Sequence, residues 1–314
     1  MVLLRRLPRP VAGGEKVIAP GKREFRSMSV IDEAQVRNDI VEVGRRLYAR
    51  GYVASNDGNI SVRLDDSRIM TTPKGVSKGF MTPDMMCVVS PDGTKLSGER
   101  DPSSELLMHL EVYRQRPDVR AVVHAHPPLA TGFAVAGIPL DRAVLAEVIT
   151  TLGSIPIAEY GTPSTRELPE AVRRYIKAHD GLLLANHGAL TVAHELFAAY
   201  YKMETIEHFA KISLVARLLG GERLLTAEEV ARLQALRGSY GIASPAPICI
   251  DGDSASAGQD ASCQVVRAPD APGLRLVPET LAAGRPERPG DEAEIRLTYR
   301  ELTALIEDAV RSLR

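Results

Sequence analysis

Ala121-Val122-Val123-His124-Ala125-His126 is a short apolar run carrying two histidines at positions i and i+2. Read as a β-strand, it projects both imidazoles from one face, ~6–7 Å apart along the backbone. That spacing suits two neighbouring ligands of one metal ion, although an HxH pair alone also fits surface or core histidines. A third histidine, His187, follows a buried-looking strand in Leu182-Leu183-Leu184-Ala185-Asn186-His187-Gly188. The glycine beside it permits close backbone approach. Glu105, in Pro102-Ser103-Ser104-Glu105, reads as a carboxylate in the first turn of a helix. Three imidazoles and one carboxylate form a donor set suited to Zn²⁺ or a similar divalent ion. His109 and His208 fall on helices and His179 and His194 near helix ends, where surface or capping roles are expected.

Outward from this strand, the pattern predicts further elements on both sides. Val36, Ile40, Val43 and Leu47 recur with helical spacing, and Gly51 stands where a helix-terminating glycine belongs. Asn59–Leu64, Arg68–Thr72 and Cys87–Ser90 read as short strands separated by turns such as Pro91-Asp92-Gly93. A helix is expected from Ser103, with the stripe Leu106, Leu107, Leu110 and Tyr113. Strands are expected at Ile155–Tyr160 and Leu182–Ala185, and helices at Thr165–His179 and His194–Leu219. A last helix of this region starts at Thr226, where Thr226 and Glu229 make a capping box. Strands mixed with helices predict a layered α/β domain.

Composition bounds the function. The chain has 314 residues, 44% hydrophobic and 25% charged, the proportions of an ordinary globular protein. Lys plus Arg is 39 against 40 for Asp plus Glu, so there is no basic excess to meet nucleic-acid phosphates. No apolar run reaches the roughly 18–20 residues that a membrane-spanning helix needs. Cys87, Cys249 and Cys263 are scattered without a CxxC spacing, which fits a reducing, cytoplasmic setting. Residues 1–27 are basic and read as a disordered leader, with Met28 a candidate start. Residues 28–240 carry the regular structure of one domain, 241–296 read as a flexible linker rich in Pro, Ala, Gly, Ser and Asp, and 297–314 as a separate helix.

Five motifs in order extend the reading: Gly58-Asn59-Ile60-Ser61, Thr72-Pro73-Lys74-Gly75, Pro102-Ser103-Ser104-Glu105, Val123-His124-Ala125-His126 and Asn186-His187-Gly188. Over residues 30–220 the chain resembles the class II aldolase/adducin family, in particular its L-fuculose-phosphate aldolase type. The resemblance implies a three-layer α/β domain with a central, mostly antiparallel sheet flanked by helices. It implies Zn²⁺, or another divalent cation such as Mn²⁺, on Glu105, His124, His126 and His187. It implies a substrate-phosphate cradle from Gly58, Asn59, Lys74, Gly75, Ser103 and Ser104. The helix N-terminus and flexible glycines expected there suit an anion. The implied activity is cleavage of a deoxy-ketose 1-phosphate of the L-fuculose or L-rhamnulose type to dihydroxyacetone phosphate and L-lactaldehyde. Glu105 would double as the base that exchanges a carbon-bound proton. A homotetramer with sites between subunits is expected.

Two departures qualify the resemblance. The stretch Ile138 to Glu147 lacks the tyrosine that fuculose-phosphate aldolases borrow from a neighbouring subunit as acid/base. Glu147 is the nearest ionisable replacement, and a late tyrosine such as Tyr240 is a further candidate. Lys74 stands where a small hydroxyl residue is common, and Asn56 where a threonine is found. An epimerase, dehydratase or decarboxylase of the same fold would use nearly the same metal ligands, and a metal-free adducin-like binding module is the non-enzymatic alternative.

The tail reads separately. Thr298 and Glu301 make a capping box, and Leu302, Leu305, Ile306, Ala309, Val310 and Leu313 form one apolar stripe. Residues 297–314 resemble the encapsulation peptides that carry enzymes into bacterial microcompartments. The resemblance implies a shell-protein partner, against the alternative of a helix that docks on its own domain.

Overall fold

A computed structural model describes residues 32–240, together with 242 and 248. The leader (1–27), nearly all of the linker (241–296) and the tail helix (297–314) lie outside the described residues.

Eight strands form one sheet: β1 (Asn59–Arg63), β2 (Ile69–Thr71), β3 (Cys87–Val89), β4 (Lys95–Ser97), β5 (Ala121–Ala125), β6 (Ile157–Ala158), β7 (Gly181–Leu184) and β8 (Gly188–Ala193). Their order is β4-β3-β2-β1-β5-β8-β7-β6, and every neighbouring pair is antiparallel except β6 with β7. The histidine-bearing β5 lies in the middle, paired with β1 on one side and β8 on the other. Its flanks are closed to water, which explains why all five of its residues are buried.

Among the described residues seven α-helices flank the sheet: α1 (Glu33–Ala49), α2 (Leu106–Gln115), α3 (Pro128–Ala136), α4 (Ala146–Thr151), α5 (Glu167–Arg173), α6 (Leu196–Leu218) and α7 (Ala227–Ser239). The alternation of β5 sorts them into two layers. Ala121, Val123 and Ala125 face a core built with Ile40 and Leu47 of α1, Phe133 of α3, and Met203 and Phe209 of α6. Val122 faces the other core, with Met108 and Val112 of α2 and Leu168 and Val172 of α5. His124, two residues on, projects from the Val122 face, toward the helix that follows Glu105. The expected three-layer α/β architecture with a mostly antiparallel central sheet is therefore what the chain forms.

Several boundaries differ from expectation. The helix expected from Ser103 starts at Leu106, with Glu105 as its N-cap residue. Ser103 is instead held by the neighbouring strand region, its N–H donating to Thr72 O at 3.1 Å, beside a Pro73–Pro102 bridge. The helix expected over Thr165–His179 is confined to Glu167–Arg173 and continues as turns. The strand expected at Ile155–Tyr160 shrinks to two residues at the sheet edge, paired only with β7. Four elements were not anticipated: β4, α3, α4 and β8. α3 has no polar face to reveal it and no side-chain cap of its own. Its Leu129 and Ala130 N–H groups donate instead to the carboxylate of Glu207 on α6, at 3.1 and 2.8 Å. Among the described residues no helix is long and apolar enough to cross a membrane.

Candidate metal centre and anion cradle

The sheet brings the predicted ligands to one point. Asn59 of β1 stands opposite His124 in register, and His124 stands opposite Leu190 of β8. His187 sits in the tight connection between β7 and β8, where Asn186 takes a left-handed conformation (φ 54°) that its short polar side chain tolerates. Gly188 follows because nothing larger fits: a Cβ there would lie 2.6 Å from both Ala125 O and the His126 ring. The three imidazoles meet with ring centroids 4.7–5.0 Å apart. Glu105, at the start of α2, completes the group. Its Oε2 lies 3.4 Å from His124 Nε2, and its Oε1 lies 3.1 Å from His187 Nε2.

Two of the rings have a polar group behind them. His124 Nδ1 donates to Ala189 O at 2.9 Å, which leaves Nε2 as a bare acceptor turned inward. His124 Nε2 and His126 Nε2 are 3.0 Å apart. His126 Nδ1 lies 3.5 Å from Asp57 Oδ2. Burial pushes His124 well below the ordinary imidazole range, although the Glu105 carboxylate opposes this. Burial also lowers His126, with the neighbouring His187 adding to it. For Glu105 burial works the other way, raising it. His124, His187 and a 2.7 Å hydrogen bond from the Asn59 amide overrule that and hold the carboxyl well below its usual range. Neutral His124 and His126 beside an ionised Glu105 are the protonation states that metal ligation requires.

The group fits a divalent cation on its own chemistry. Acceptor atoms of the three histidines lie within 4.8 Å of one another. Glu105 Oε1 and His187 Nδ1 are buried without a hydrogen-bond partner, a costly arrangement for a closed apolar site. An N₃O set of this kind suits Zn²⁺, Mn²⁺ or a related ion.

The centre opens into a cavity of about 280 Å³, lined by Gly58, Asn59, Lys74, Gly75, Ser103 and Ser104 as well as by Glu105, His126 and His187. Every residue predicted for the phosphate cradle is therefore on the wall of the same cavity as the metal centre. Asn59 has a second engagement, since its amide is already committed to Glu105. Glu147 does not join them within one chain. It lies exposed in the first turn of α4, which packs through Ile149 against Val230 of α7. Tyr240 is likewise exposed, at the end of α7.

Two cavity residues went unnoticed in the sequence, Asp57 and Lys78. Asp57 precedes Gly58 in a turn and gives no sequence signal beyond that. Lys78 sits in an unremarkable polar stretch, and nothing local foretells that it is only 2% exposed.

Fold and site together define a three-layer α/β protein with three imidazoles and a carboxylate, a set that could hold a divalent cation, beside a cavity lined by glycines, serines and lysines. The chain belongs to the class II aldolase and adducin N-terminal domain family, whose model matches residues 38–214. It is 31% identical over 211 residues to a 3-oxo-tetronate 4-phosphate decarboxylase of Pectobacterium atrosepticum, covering 65% of this chain and 95% of that protein. It is 33% identical over 177 residues to an L-fuculose phosphate aldolase of Methanococcus maripaludis, covering 56% of this chain and 95% of that one. Among solved structures it superposes on YgbL of Klebsiella pneumoniae, described as a putative aldolase/epimerase/decarboxylase. There the TM-score is 0.60 at 30% identity, over 65% of this chain and 99% of the other.

Proposed function

We propose that this protein is a divalent-metal-dependent carbon–carbon lyase that removes CO₂ from a phosphorylated 3-oxo sugar acid of the 3-oxo-tetronate 4-phosphate type. The observation that carries the reading is one cavity with His126, His187 and Glu105 at one end, His124 buried against them, and Gly, Ser and Lys residues at the other. The cradle would take the phosphate through backbone N–H groups at Gly58 and Gly75 and the hydroxyls of Ser103 and Ser104. A divalent cation, when bound by Glu105, His124, His126 and His187, supplies Lewis-acid stabilisation of negative charge developing on the substrate's carbonyl and neighbouring hydroxyl oxygens. Zn²⁺ is the ion assigned, Mn²⁺ the alternative.

In the reaction the bond from the carboxyl carbon to C2 breaks, and its electron pair moves into the C2–C3 bond as the C3 carbonyl oxygen becomes anionic. CO₂ departs and C2 then takes a proton, leaving dihydroxyacetone phosphate. Glu105 is the carboxylate placed to carry that proton. Decarboxylation needs no base on a leaving aldehyde's hydroxyl. This matters because Glu147, the residue expected to serve a retro-aldol step, is outside the cavity of its own chain.

A second reading is retro-aldol cleavage of an L-fuculose 1-phosphate-type ketose, favoured by the similarity to the Methanococcus aldolase. It passes through the same enediolate but expels L-lactaldehyde, and it would require an acid/base from a neighbouring copy, with exposed Glu147 or Tyr240 the candidates. Both readings anticipate a homotetramer. The encapsulation role of 297–314 rests on the tail's sequence pattern, and the family match ends well before it, at residue 214.

The test is a product assay with purified, metal-analysed protein on 3-oxo-tetronate 4-phosphate and on L-fuculose 1-phosphate. CO₂ and dihydroxyacetone phosphate from the first substrate are expected. Aldehyde from the second, with no CO₂ from the first, would replace decarboxylation by aldol cleavage.

A further inference from the structure

Lys78 opens a short 3₁₀ turn, Lys78–Phe80, packed against α1, and is almost wholly buried. Its Nζ donates to Asn56 O at 3.0 Å and to Val76 O at 2.6 Å. Those carbonyls belong to the two loops that carry Gly58 and Gly75, the turning points of the cradle. An ammonium has three N–H donors, so two carbonyls leave one unused. Among the described residues Lys78 forms no ion pair, although it lines the cavity.

A buried lysine normally sits opposite a carboxylate, because removing an ammonium from water without a counter-ion is costly. Here the nearest acidic groups, Asp57 and Glu105, act only at a distance, and burial pushes the ammonium down to about 8. Lys74, the cradle lysine that the sequence singled out, is by contrast exposed. Water already serves its charge.

We propose that Lys78 is the charge-bearing residue of the anion cradle, its buried ammonium pinning the Asn56 and Val76 loops together and neutralising the substrate phosphate that binds between them. The proposal rests on the reading of the cradle as a phosphate site. It assigns Lys78 a binding and positioning role, with Lys74 an auxiliary charge at the rim.

The experiment is calorimetric titration of the full-length, metal-containing protein with inorganic phosphate. Wild type should bind. K78M should bind at least tenfold more weakly, K78R within threefold of wild type, and K74M should lose less than K78M. Phosphate affinity unchanged in K78M, or lost equally in K78R and K78M, overturns the role of Lys78 while leaving the cradle intact. If wild type itself binds no phosphate, the cradle reading falls and this proposal with it. Should K78M fail to fold by circular dichroism, the ¹³Cε signal of Lys78 in wild type, identified by its disappearance in K78R, decides. It should move as phosphate saturates, and a signal that stays still overturns the proposal.

Discussion

The two ends of the cavity are built differently. At the histidine end the groups come from central strands and the turn joining two of them, and His124 is fully buried with its ring fixed by Ala189 O. At the cradle end the wall is made of loops, with Ser104, Lys74 and Gly75 exposed. Chemistry that must hold its geometry to a fraction of an ångström sits where three strands pin it from both sides. In the proposed function, recognition that varies with substrate sits on turns that can change without disturbing the sheet. The same contrast explains how one family accommodates relatives named for both decarboxylation and aldol cleavage.

Substitutions at the two ends should separate these roles. The largest effect is expected for His124→Ala, which removes the most buried ligand. Metal content by mass spectrometry and activity should fall together, activity on the order of a thousandfold. Full activity in a metal-free variant would refute the centre. Glu105→Gln comes next. It keeps the side chain's shape but loses its charge, and a loss of about a hundredfold in kcat is expected, exceeding the loss of metal. Equal losses would make Glu105 only a ligand.

Two glycines sharpen the comparison, because both have φ +71° but different surroundings. A Cβ at Gly58 would meet Val53 Cγ1 at 2.7 Å and His124 O at 2.8 Å, whereas at Gly75 nothing lies within 4 Å. Gly58→Ala should therefore cost about 3 kcal/mol in urea unfolding, from backbone strain plus overpacking. Gly75→Ala should cost only about 1 kcal/mol, from the left-handed backbone alone. Equal costs would mean that the packing around Gly58 adds nothing to the strain of its backbone.

Comparable in size to the larger of these is a pH effect beneath the histidine cluster. His109, one turn along α2 from Glu105, is buried with Nδ1 bound to Ser61 Oγ at 2.7 Å, and burial pushes it down to about 4. Between pH 6.5 and 4 the unfolded chain binds a proton that the folded chain refuses. Stability conferred by the neutral ring is complete above that window and is lost as pH falls through it, on the order of 3 kcal/mol. His109→Gln should flatten this part of the stability profile. An unchanged slope would move the effect to other groups.

How far the sequence reveals these ends follows from how each is built. His124 and His126 are legible because a strand's two-residue period puts them on one face without any knowledge of neighbours. His187 and Glu105 were found by their motifs, and the structure shows why they join: β7, β8 and α2 converge there. The start of α2 was misplaced by three residues because Ser103 satisfies its backbone against Thr72, a partner 31 positions earlier. Lys78 and Asp57 were invisible for the same reason. Their place in the cavity depends on loops brought together by the sheet, not on local pattern. β8 was missed because its buried run lies against the preceding strand and the long helix after it, with little punctuation between them.

The clamp on α3 has a consequence for the order in which the molecule assembles. A nine-residue helix without its own cap is marginal in isolation. Its first turn is completed by Glu207, a residue 77 and 78 positions further along the chain. This helix, which packs on α6, β7 and β8, thus becomes stable only after α6 has arrived. Amide exchange at Leu129 and Ala130 should accordingly slow in step with α6 during refolding. The cover that α3 lays over β7 and β8 sets with α6 and not before it.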